Sequence, residues 1–334
     1  MPRSPMTMSV PKEPNTEMQT TVGKTILITG ANTGLGKETA RQLALRDDFE
    51  RVYLGCRNPE KAERAKEDLE KVSGRKIFEV VIIDLDDLAS VRAAVAAIAA
   101  PLNALAMIAG GIGGPTPALL TQDGVTELFA QNLLGHVVLL ETLLAAGLLT
   151  DVAVLAGSEG ARGIPKLRIA RPTFTDHSSE EFASLIDGSF FRGGKFDMML
   201  SYSQIKYLGA LWMGAMARMH PEIRFITMSP GNTAGTDVLR DQPAPVRIIA
   251  SRIVLPYLLP ALRIGHKLDV GAERFVKGVT DPSLQSGVFY ASAAKTITGP
   301  VIDQAEIVPD FRDPELQDHA YEAIQRFVPR VAAT

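Results

Sequence analysis

Tyr202 and Lys206 stand four residues apart in the run YSQIK, which puts a phenol and an ammonium on one face of any helix built over them. That pairing suits proton transfer. An ordinary tyrosine, with a pKa near 10, neither gives nor takes a proton readily at neutral pH. A cation within ~4 Å is worth about 4 kcal/mol at an effective dielectric of 20, or roughly three pKa units, so the spacing predicts a phenol titrating near neutrality. Taken alone, such a pair also arises by chance among surface residues. Ser158, in VLAGS, and Asn132, in QNLLGH, keep it company. Ser158 follows an aliphatic run at the carboxyl edge where α/β sheets bind ligands, although an ordinary turn serine has the same signature. Asn132 is either a plain polar residue of its helix or an amide able to hold a water or a backbone carbonyl behind the lysine.

These side chains need elements to carry them. Aliphatic or β-branched runs at 25–29, 51–55, 79–84, 103–109, 151–156, 223–228 and 287–291 read as strands, the last with less support. Helical patterns fill 36–46, 59–71, 88–99, 125–144 and 201–219 between them. Near-continuous apolar strands joined by crossover helices predict an α/β fold of the Rossmann type: a doubly wound parallel sheet of about seven strands with helices on both faces. The expected organisation is a tail over 1–20 and one domain over 21–334, with a flap at 236–268 after the sixth strand and a carboxyl-terminal extension at 305–334.

Between the first strand and its helix lies Gly30-Ala31-Asn32-Thr33-Gly34-Leu35-Gly36. Glycines there allow a tight turn and close backbone approach, and a helix start attracts a pyrophosphate, so this loop predicts a dinucleotide site. After the second strand the chain reads Gly55-Cys56-Arg57-Asn58, with no carboxylate to grip ribose hydroxyls. Arg57, helped by Lys61 and Lys37, suits a phosphate instead, so the expected cofactor is NADP(H) rather than NAD. Asp84 and Leu85, ending the third strand, are placed to meet the adenine, although the acids at 84–87 serve equally well as a helix cap.

Composition excludes other classes. With 35 basic and 38 acidic residues the net charge is −3, so nothing global draws the chain to nucleic acid. Hydrophobic residues at 46% can fill a sizeable core. The single cysteine, Cys56, rules out an internal disulfide framework and fits a reducing, cytoplasmic setting. The five histidines match no metal-ligand spacing, so no metal is expected, and Ser158 lacks the G-x-S-x-G elbow of a hydrolase. Residues 162–200, with Phe190, Phe191, Phe196 and Met198, interrupt the alternation and suggest contact with a bulky apolar small-molecule substrate. The apolar stretch at 236–268, broken by Arg247, Arg252, Pro256, Pro260 and Arg263, reads as a substrate flap. A helix pair packed in a core or an interface, and a membrane-surface patch, remain open for it; membrane contact is not the expected role. Leu316, Ala320, Ala323, Ile324 and Phe327 form a helical stripe expected to dock on the domain.

Over residues 23–291 the chain resembles the short-chain dehydrogenase/reductase family, through the loop Thr29 to Gly36 and the series Asn132, Ser158, Tyr202, Lys206. The resemblance implies that Tyr202 is the general acid/base, that Ser158 polarises the substrate oxygen, and that Lys206 binds the nicotinamide ribose and lowers the tyrosine pKa. Asn132 would complete a proton relay. Pro230-Gly231 would form the nicotinamide-side loop, with Thr233 or Thr236 at the carboxamide. Ala109 and Gly110, in MIAG, stand where the family has NNAG. The family also implies a dimer or tetramer. TGANTGLGKETARQLA resembles the retinol dehydrogenase group, whereas LIDGSFFRGGKF and TDPSLQSGVFYAS are more similar to light-dependent protochlorophyllide reductase. That reductase has cysteine where this chain has Asn232, which disfavours the alternative of ring C=C reduction. A non-catalytic dinucleotide sensor or interaction protein on the same fold is a further alternative.

Overall fold

The computed structural model describes residues 23–114, 116–233 and 265–329. The expected tail, Thr236 and the flap up to residue 264 lie outside them. Seven strands run parallel: β1 (Lys24–Thr29), β2 (Phe49–Cys56), β3 (Phe78–Ile82), β4 (Leu102–Met107), β5 (Leu149–Ala156), β6 (Arg224–Met228) and β7 (Val288–Ser292). A short strand, β8 (Val301–Asp303), pairs antiparallel with β7 and was not foreseen, since three residues carry no periodic signal. The order is β3-β2-β1-β4-β5-β6-β7-β8, so the winding reverses between β1 and β4 and opens a crevice at their carboxyl ends.

Both faces of the sheet are covered, which explains why its strands read as apolar throughout rather than alternating. Ile26, Leu27 and Ile28 of β1 are wholly buried: Leu27 joins the core on one side, and Ile26 and Ile28 the core on the other. The helices begin where local chemistry starts them. Helix α1 (Gly34–Ala44) opens two residues before the expected start. Asn58 accepts a hydrogen bond from the Lys61 N–H to cap α2 (Pro59–Ser73), with Pro59 in the first turn. Asp87 caps α3 (Leu88–Ala96) by accepting from the Ala89 and Ser90 amides, so of the acids at 84–87 it is Asp87 that caps the helix. Helix α4 (Glu127–Ala145) includes a π turn over Ala130–Leu134. It is long and apolar enough to span a membrane, yet 72% of its most apolar window is buried inside the fold.

The break at 162–200 contains 3₁₀ turns and α5 (Ser179–Ile186). Its phenylalanines mainly meet one another: Phe190 and Phe191 lie 5.2 Å apart, Phe191 and Phe196 5.0 Å, with edge-on geometry. Phe190, Phe191 and Phe196 remain half-buried in this cluster, and Met198 is exposed. Helix α6 (Met198–Met219) follows, capped by Asp197, which accepts from the Met199 and Leu200 amides. Helix α7 (Leu268–Thr280) lies against α1, and α8 (Pro314–Gln325) docks on α6 through Ala320, Ala323 and Ile324, all fully buried.

Candidate active site

The Asp197 cap fixes where α6 starts and so where Tyr202 and Lys206 fall on it. Lys206 is 6% exposed and its Nζ donates to the Ala156 carbonyl at 2.9 Å, tying α6 to the last residue of β5. Burial lowers its pKa to about 8. The ammonium sits 5.6 Å from the centre of the Tyr202 ring. Tyr202 is partly buried, and its pKa is pushed up to about 12, first by burial of the hydroxyl and then by the Glu159 carboxylate, against a hydrogen bond from Ser158. The expectation of a phenol titrating near neutrality is therefore corrected. The lysine spends its charge on a carbonyl and lies too far off to outweigh desolvation.

Ser158 follows β5 and caps the 3₁₀ turn Glu159–Arg162, its Oγ accepting from the Gly160 amide at 3.1 Å. Ser158 thus closes a turn and also meets the phenol. Asn132 is buried in the π turn of α4, where Nδ2 donates to the Gly111 and Leu128 carbonyls at 2.8 and 2.9 Å and Oδ1 accepts from the Gly111 amide at 3.1 Å. Its amide therefore holds two backbone carbonyls and clamps the loop after β4. His136 lies one helical turn on from Asn132, close enough to feel the Lys206 charge. Thr29 Oγ1 already accepts from the Ile108 and Ala109 amides, so its own proton goes to His136 Nε2, 3.0 Å away. That bond leaves the histidine proton on Nδ1, facing the Asn132 carbonyl at 3.5 Å. Burial and the Lys206 charge lower the His136 pKa to about 3, which keeps it neutral.

The glycine turn after β1 has the shape a pyrophosphate needs. A Cβ on Gly36 would lie 2.4 Å from the Gly30 carbonyl, so only glycine lets helix and turn approach this closely. Unlike α2 and α3, α1 receives no side-chain cap, and Thr33 at its start leaves the first amides for another acceptor. Beside it a cavity of about 460 Å³ is lined by Asn32, Thr33, Lys37, Lys61, Arg64, Ala65 and Asp68. These residues fit the phosphates of a dinucleotide. Arg57 lies at the end of β2 with its side chain 64% exposed, 3.2 Å from Asp86 and 3.8 Å from Asp84, so its charge is partly matched by carboxylates. Leu85 packs on Gly135 of α4, while Leu35 lies against Gly271 of α7. Ala109 and Gly110 close the loop after β4, held by Thr29 and Asn132. Pro230, Gly231 and Thr233 form the turn after β6, with Thr233 Oγ1 donating to the Pro230 carbonyl at 3.0 Å.

Several residues here escaped the sequence reading. Arg64 shares a helical face with Lys61, Ala65 and Asp68, and its side chain is largely exposed. Glu159, Arg274 and His266 form a buried network beneath the turns carrying Ser158 and Gly231, and nothing local announces it, since 115 positions separate Glu159 from Arg274.

A family profile described as short chain dehydrogenase matches residues 24–160. Retinol dehydrogenase 11 of Homo sapiens is 38% identical over 123 residues, covering 36% of this chain and 38% of that protein. Dehydrogenase/reductase SDR family member 12 of Bos taurus is 32% identical over 212 residues, 63% of this chain and 60% of that protein. The chain thus matches less than two thirds of the length of these curated relatives. Among solved structures, NADPH bound carbonyl reductase from chicken fatty liver aligns with TM-score 0.53 at 20% identity, over 83% of this chain and 99% of that one. A short-chain type dehydrogenase/reductase from Mycobacterium ulcerans aligns with TM-score 0.55 at 18% identity, over 88% and 97%. At these identities the likeness is one of fold.

Proposed function

We propose that this chain is a short-chain dehydrogenase/reductase, an NADP(H)-dependent oxidoreductase acting on a carbonyl or secondary alcohol of a bulky apolar or aromatic substrate. The observation that carries the reading is convergence: Tyr202, Ser158 and Lys206 meet at the carboxyl end of β5, on the same sheet edge as the glycine turn after β1. NADP(H), when bound, supplies or accepts the hydride. Asn32, Thr33, Lys37, Lys61 and Arg64, with Arg57 near by, would hold its phosphates, and their positive charge favours NADP over NAD.

Tyr202 carries the proton. With a pKa near 12 the phenol stays protonated through the neutral range, which suits it as the acid for carbonyl reduction rather than as the base for alcohol oxidation. Ser158 donates to the substrate oxygen beside the phenol and stabilises the charge that develops there. Lys206, with a pKa of about 8, remains cationic at neutral pH. Its ammonium fixes α6 to β5 and adds positive potential beneath the ring. Asn132 and His136 act one step back, through the Gly111 and Thr29 contacts. Met198 and Met199 lie one turn before Tyr202 on its own helix face and give the approach an apolar character. The single cysteine, buried Cys56, supports a reducing cytoplasmic compartment.

The test is NADPH oxidation across ketone and aldehyde panels with wild type and Tyr202→Phe. Turnover in wild type, lost in Tyr202→Phe while NADPH binding persists, is the expected result. Binding of NADPH by both proteins with turnover by neither would favour a sensor.

A further inference from the structure

Glu159 follows Ser158 directly and is 3% exposed. Four donor contacts converge on its carboxylate. Oε1 accepts from Arg274 Nη1 at 3.4 Å, Ser292 Oγ at 3.0 Å and the Ser292 amide at 3.2 Å, while Oε2 accepts from Ser229 Oγ at 2.5 Å. Arg274, 5% exposed, supplies the counter-charge to this carboxylate. Arg274 also donates to the Ser229 carbonyl at 3.0 Å, Ser292 Oγ at 2.9 Å, the Gly299 carbonyl at 2.7 Å and His266 Nε2 at 2.9 Å. The network therefore joins the carboxyl ends of β5, β6 and β7.

The link to the site runs through Ser229. Its hydroxyl hydrogen goes to Glu159, which leaves an oxygen lone pair to accept the Gly231 amide at 3.1 Å. Gly231 takes φ +74°, and a Cβ there would lie 2.6 Å from His266 Cδ2 and 2.9 Å from Arg274 Nη1. The turn after β6 is thus seated against the very side chains that hold the turn after β5. An ion pair buried this deeply costs desolvation and is weak evidence of stabilisation, so its retention invites a positional explanation.

We propose that Glu159 is a positioning residue which, through Ser229, sets the Pro230–Gly231 turn against the turn bearing Ser158, so that the dinucleotide and the proton-transfer groups meet in register. The inference rests on the oxidoreductase reading above. Glu159 plays a second part through its charge, which faces Tyr202 as well as Arg274, Arg162 and His266.

Two variants separate the parts. Ser229→Ala cuts the link to Gly231 and leaves the Glu159 charge in place. It is expected to weaken NADPH binding about tenfold, the scale of one buried hydrogen bond to a charged group, with the pH profile unmoved. Glu159→Gln removes the charge as well. Because the carboxylate raises the Tyr202 pKa, its loss lowers that pKa, and the alkaline limb of carbonyl reduction moves to lower pH. Glu159→Asp, which keeps the charge but shortens the reach, should restore the limb without restoring NADPH affinity. Binding is read in the full-length chain by NADPH fluorescence, beside a thermal melt. If Ser229→Ala and Glu159→Gln both bind NADPH within twofold of wild type and only melt earlier, the network is merely structural and the proposal is overturned. If the wild-type chain binds neither NADPH nor NADH, the oxidoreductase reading fails and takes this proposal with it.

Discussion

Replacing Lys206 with methionine keeps much of the side chain's volume and removes its charge. Burial has lowered the ammonium from its usual 10.5 to about 8, and at 1.36 kcal/mol per pH unit that corresponds to roughly 3 kcal/mol of folding stability forgone at neutral pH. The sign follows from linkage. Between about pH 8 and 10.5 the unfolded chain binds more protons at this site than the folded one, so wild-type stability rises with pH across that window through this group. Below pH 8 the whole cost is present. In Lys206→Met the cost is gone, but the Ala156 carbonyl loses its 2.9 Å donor, a loss of about 1–3 kcal/mol. At pH 7 the two proteins should therefore have similar stability, or the variant slightly more, while carbonyl reduction falls to background. Urea unfolding of both from pH 7 to 10 gives the direct measure. Wild type should gain roughly 2 kcal/mol relative to the variant over that range, and taking the difference cancels the titrations of Cys56 and Tyr202 that both share. A difference that stays flat would show that Lys206 is not desolvated as described, and the account of the phenol's surroundings would go with it.

Other perturbations probe the cofactor cradle, the serine turn and the outer helices. Arg57→Asp and Arg64→Ala should each weaken NADPH by about 10- to 100-fold and NADH far less, in titrations of both dinucleotides; equal losses would remove the argument for a phosphate contact. Gly160→Ala would put a Cβ 2.7 Å from Ser203 Oγ and 3.3 Å from Ser158 Oγ, so it should displace the serine hydroxyl and lower kcat at least tenfold with NADPH affinity kept. The overpacking should also cost about 1–3 kcal/mol in unfolding experiments. Helix α6 is buried from Ser203 to Met216, packed by α5 and α8 of its own chain. The oligomer implied by resemblance would therefore have to form through other surfaces, and sedimentation reads whether it does.

Elements with a strong local signal were legible in the sequence. The seven parallel strands were, because a strand covered on both faces must be apolar throughout, and so were the glycine turn and the pairing of Tyr202 with Lys206 on one helix face. Three-residue β8 offered too little sequence to register.

Residue types and short spacings determined which groups were available for chemistry: a phenol, an ammonium, a serine and a glycine turn. Tertiary structure alone decided what those groups are worth. The phenol's pKa goes up rather than down because desolvation and the Glu159 carboxylate outweigh an ammonium already committed to Ala156. Likewise, Asn132 faces Gly111 because a π turn and the β4 loop meet there. Burial and charge partners come from segments far apart in the chain, and no local pattern encodes a field that only folding assembles.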